Sequence, residues 1–81
     1  MKIKVAFEDR DEVLGALVRA LAVQVGGFQM GKGMDKAFLA ENGYYEFDFA
    51  TIAQTGRFQV LIDNYLEPKL RNKLAVKEIS N

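Results

Sequence analysis

The chain contains no His, no Cys and no Trp, one Pro, and a single Ser, Ser80, beside the C-terminus. Each absence closes a route. Without His the commonest general base and metal ligand are missing. Without Cys there is no disulfide framework, no thiolate zinc site and no thiol nucleophile, which fits a reducing, cytoplasmic setting. The hydroxyls that remain are Thr51, Thr55 and three Tyr. The expectation is a protein that is not an enzyme and carries no cofactor or metal. No run of apolar residues is long enough to span a membrane. Lys2 and Lys4 interrupt the first apolar stretch, so no leader peptide is expected there.

What is present is an 81-residue chain, 49% apolar, with eleven basic and eleven acidic side chains. That length suits one domain over residues 1–81. The apolar fraction is too high for a disordered chain. Zero net charge argues against broad attraction to nucleic acid. The charge is uneven: residues 37–68 hold Glu41, Glu46, Asp48, Asp63 and Glu67 against Arg57 alone, and residues 69–77 hold Lys69, Arg71, Lys73 and Lys77 without an acid. The second segment reads as a solvated helix turn with loop lysines, or as a small basic contact patch.

Lys2 to Phe7 alternates apolar and polar residues and predicts a strand with one buried face. Asp9 followed by Glu12 forms a capping-box pattern, which predicts a helix from about Arg10 to Val25, ended by Gly26 and Gly27. Tyr45, Phe47 and Phe49 alternate with Tyr44, Glu46 and Asp48, a second clear strand. Asn42-Gly43 before it is a hairpin signal. Lys36 to Ala40 accordingly reads as its partner strand, the alternative being a short helix capped by Asp35 and ended at Gly43. Phe28 to Met30 extends that strand or forms one of its own.

Thr51 and Gln54 repeat the capping box, and Phe58, Leu61, Ile62, Tyr65 and Leu66 make one helical stripe. Gly56 weakens its first turn, which allows a start as late as Arg57, and Pro68 ends or kinks it, with Lys69 to Lys73 able to add another turn. Leu74 to Ile79 closes the chain as a strand.

The order strand, helix, strand, strand, helix, strand predicts an α+β, ferredoxin-like βαββαβ two-layer sandwich, with two helices on one face of an antiparallel sheet. In that topology the first and third strands are antiparallel neighbours. Lys2 and Lys4 then face Glu46 and Asp48, a favourable cross-strand arrangement.

Several motifs read as structural. Gly26 to Gly33, GGFQMGKG, approaches a phosphate-loop pattern, but Gly33 stands where a magnesium-binding hydroxyl belongs, and the segment follows a helix instead of a strand. It reads as a turn, with Lys32 as a candidate contact. The aromatic strand turns its rings to the core, which leaves too few for stacking on RNA bases. Glu46, Asp48, Asp63 and Glu67 lack metal-site spacing and read as surface carboxylates.

The segment VAFEDRDEVLGALVRALAVQVGG resembles the opening of an ACT domain, through Asp9-Arg10 and Leu14, Leu17 and Leu21. The resemblance implies a ferredoxin-like regulatory module that senses an amino acid or related metabolite. Where the family has Pro-Gly, this chain has Asp11-Glu12.

The first helix is the most informative element. Leu14, Leu17, Val18, Leu21 and Val25 form its expected inward stripe. The opposite side holds Gly15, Ala16, Arg19, Ala20, Ala22 and Val23, with one charge where several are usual. Small apolar residues there predict a second interface, covered by a partner, the alternative being a poorly charged but solvated face, since Ala is a good helix former. The expected function is a protein-interaction module (adaptor, assembly factor or inhibitor, of the kind phages and mobile elements encode) that binds a protein partner or a second copy. A metabolite sensor and a weak nucleic-acid binder are the alternatives.

Overall fold

A computed structural model describes the backbone of residues 1–30 and 36–79, and the side chains of residues 1–27 and 38–79. Strand β1 (Lys2–Phe7) follows its alternation: Ile3, Val5 and Phe7 are buried, while Lys2, Lys4 and Ala6 are half-exposed on the other face. Helix α1 (Glu12–Gln24) begins two residues later than its capping pattern suggests. Asp11, not Asp9, is the N-cap; the Val13 and Leu14 N–H groups donate to its Oδ1 at 2.9 and 3.2 Å. The reason is Arg10, which takes the left-handed conformation (φ 52°) and so cannot lie inside the helix. Asp9 pairs instead with Lys73 at 3.1 Å.

The end of α1 is as expected. Gly26 (φ 88°) donates to the Val23 carbonyl at 3.0 Å and Gly27 to that of Ala22 at 2.9 Å, the paired bonds of a Schellman motif.

The chain then forms the three-residue strand β2 (Phe28–Met30) and helix α2 (Lys36–Asn42). The strand expected over Lys36 to Ala40 is therefore corrected to a helix. Asn42-Gly43 serves as its stop instead of a hairpin turn: Gly43 has φ 76°, and its N–H donates to the Leu39 carbonyl at 2.8 Å. Arg10 Nη1 donates to the Ala40 carbonyl at 2.6 Å, placing a cation at the negative end of the helix. Asp35, the Gly31 to Gly33 turn and Lys32 lie outside the described residues.

Strand β3 (Tyr44–Asp48) leads through a Thr51 cap into α3 (Ile52–Tyr65), which starts at Ile52 despite Gly56. The Gln54 N–H donates to Thr51 Oγ1 at 3.2 Å, and the Gln54 side chain accepts from the Ala50 N–H at 2.8 Å. Pro68 opens the short helix α4 (Pro68–Arg71), and β4 (Leu74–Ile79) completes the sheet.

The protein is α+β. The strand order is β2-β3-β1-β4, with antiparallel neighbours throughout. Lys2 lies opposite Asp48 and Lys4 opposite Glu46, the expected charge pairing. One sheet face carries the core: Val5, Phe47, Phe49, Val18, Leu39, Phe58 and Ile62 are at most 2% exposed. Compared with the expected order, a helix is inserted between β2 and β3, and it packs on α1 and β3.

Candidate functional site

The insertion of α2 changes which side of α1 faces inward. A Cβ on Gly15 would lie 2.6 Å from Leu39 Cδ2 and 3.1 Å from Tyr45 Cε2, so the glycine is where α2 and β3 come close to α1. Ala22 is fully buried. Gly15 and Ala22 are thus part of the chain's own core and not free to meet a partner, which corrects their assignment to the outer face. Leu17, assigned inward, is instead 39% exposed. Helix α1 packs against α2 and α3 as well as β2, and Gly15 sits where α2 approaches it.

The outer stripe that remains is apolar. Val13 (75% exposed), Ala16, Leu17, Ala20 and Val23 (59% exposed) recur at helical spacing along one side of α1. Ala16, Ala20 and Val23 are thus exposed as expected. Arg19 is half-buried at the edge of this stripe. No acidic or lysine side chain lies between Val13 and Gln24.

The basic segment is less basic than it reads. Arg71 Nη1 lies 3.6 Å from Asp63 on α3, and Lys73 pairs with Asp9 at the β1–α1 junction, while Lys69 is exposed. The acids absent from residues 69–77 come from α3 just before the segment and from the distant β1–α1 junction. The helix-free sheet face carries Lys2, Lys4, Lys77, Glu46, Asp48 and Tyr44. Lys4 Nζ sits 4.3 Å from the centre of the Tyr44 ring. Both residues of the Asp9-Arg10 pair are engaged internally, Asp9 with Lys73 and Arg10 with the end of α2. Among the described residues no three His, Cys, Asp or Glu gather as metal ligands, and no helix is long and apolar enough to cross a membrane.

A second surface feature had only a faint sequence signal. Between the end of α1 and α3 runs an open groove of about 590 Å³, lined by Gln24, Val25, Ala53, Gly56, Arg57, Val60 and Leu61. Gly56 lies inside α3, where a glycine costs about 1 kcal/mol relative to alanine. A Cβ added there would meet nothing within 4 Å. That unexplained glycine was the one trace of the groove in the sequence.

No protein-family model, curated protein or solved structure matches this chain.

Proposed function

We propose that this chain is a non-enzymatic protein-interaction module, a ferredoxin-like βαββαβ variant with an inserted helix, which docks a protein partner or a second copy through the outer stripe of α1. The observation that carries this reading is the exposure of Val13, Leu17 and Val23 on a helix with no acid or lysine between Val13 and Gln24. Solvated helix faces ordinarily carry charge, and contiguous exposed apolar surface marks association sites. An adaptor, an assembly factor and an inhibitor all use such a face, so the role follows from the partner.

The test is Ala20→Glu, which sets a charge in the middle of the exposed stripe. Ala22→Glu is unsuitable, because Ala22 is buried and the variant would unfold. Ala20→Glu should leave urea-unfolding stability within about 0.5 kcal/mol of the parent. It should also abolish self-association in sedimentation velocity, or retention of the partner in a pull-down from the native host. A parent chain that stays monomeric at high concentration, together with partners retained equally by Ala20→Glu, would refute the reading.

A further inference from the structure

We propose that the α1–α3 groove is a binding site for a small amphipathic carboxylate, independent of the outer stripe of α1. The lining selects the chemistry. Val25, Ala53, Val60 and Leu61 supply apolar walls, Val60 being 54% exposed and Leu61 half-buried. Among the described residues, Arg57 is the one ionisable side chain in the lining, and it makes no ion pair or hydrogen bond there. A guanidinium with free donors beside an apolar trough is complementary to a carboxylate that carries an apolar tail. Gln24 adds an amide at the α1 side.

Gly56 points the same way. The other described glycines have an internal reason: Gly26 and Gly43 hold positive φ, and Gly15 and Gly27 admit Leu39 and Phe49 side chains. Gly56 has no such neighbour, and it is an exposed residue of the groove lining where an added Cβ would meet nothing within 4 Å. The size favours a small molecule over a docked helix. The groove volume of about 590 Å³ falls in the range of ligand clefts. Its α3 wall, Ala53 to Leu61, is about 12 Å long at 1.5 Å per residue, roughly two helical turns.

Sodium octanoate, titrated below its micelle concentration, is the probe, with octan-1-ol as the uncharged control. Calorimetry and amide chemical shifts are the readouts. Octanoate should bind saturably, with shifts concentrated at Gln24, Val25 and Ala53 to Leu61, and more tightly than octan-1-ol. Gly56→Leu, whose side chain enters open space on a better helix former, should keep the fold and abolish binding. Arg57→Gln, a surface change, should weaken octanoate binding by about tenfold and remove its advantage over octan-1-ol. Absence of saturation, shifts centred elsewhere, equal binding of octanoate and octan-1-ol by the parent, or octanoate binding undiminished in both variants would overturn the proposal. None of these results depends on the Ala20→Glu outcome, so the two surfaces are tested separately.

Discussion

Gly15 and Gly56 both lie in helices, and replacing each by Ala should move stability in different directions. On propensity alone each change gains about 1 kcal/mol. At Gly56 the new methyl meets nothing within 4 Å, so the whole gain should appear. At Gly15 it lies 2.6 Å from Leu39 Cδ2 and 3.1 Å from Tyr45 Cε2. Leu39 is fully buried and Tyr45 is 2% exposed, so neither side chain has free room to retreat. Overpacking of this kind costs about 1–3 kcal/mol, which cancels or exceeds the propensity gain. Gly15→Ala should therefore range from neutral to about 2 kcal/mol destabilising, and the two variants should differ by about 1–3 kcal/mol. In a domain of this size that is a difference of at least about 4 °C in Tm. Urea unfolding with linear extrapolation measures it directly. Truncating the obstacle completes the test: in a Leu39→Ala background, Gly15→Ala should become stabilising, a coupling that a double-mutant cycle reads. Equal stabilisation by Gly15→Ala and Gly56→Ala, with no coupling to Leu39, would show that α2 does not seat on α1 and that the small-residue side of α1 is free after all.

Two further substitutions examine the β1–α1 junction. Asp11→Ala should cost about 1 kcal/mol of unfolding free energy, because it removes the acceptor for two helix N–H groups, whereas Asp9→Ala, which breaks only an exposed ion pair, should cost about 0.5 kcal/mol or less. The reverse order, read from urea midpoints, would restore Asp9 as the cap. Arg10→Gly relieves the positive φ but removes the donor to the Ala40 carbonyl. Hydrogen exchange should then accelerate in α2 more than in α1 or α3, and uniform acceleration would argue against a latch between the junction and α2.

The sequence by itself determined three of the strands, β1, β3 and β4, and the pairing of β1 with β3, whereas the hairpin partner it suggested for β3 is helix α2. β1 and β3 follow from period-two alternation and β4 from the closing run Leu74 to Ile79, and the facing of Lys2 and Lys4 with Asp48 and Glu46 follows from the charges set along them. The start of α3 was legible in Thr51 and Gln54, and the end of α1 in Gly26 and Gly27, because caps are local hydrogen-bonding chemistry carried by a few neighbouring residues. Lys36 to Asn42 was not legible in this way. A short apolar run fits a strand or a helix, and Asn-Gly serves a hairpin turn or a helix stop equally well, since both require positive φ. Tertiary structure decided it, through the Arg10 guanidinium at the end of α2 and Leu39 seated over Gly15. The packing of α2, α3 and β2 around α1 divided its small residues, with Gly15 and Ala22 buried and Ala16, Ala20 and Val23 outside. Which side of a helix is buried depends on every surface that approaches it, and an approaching helix from another part of the chain leaves no mark in the helix's own periodicity.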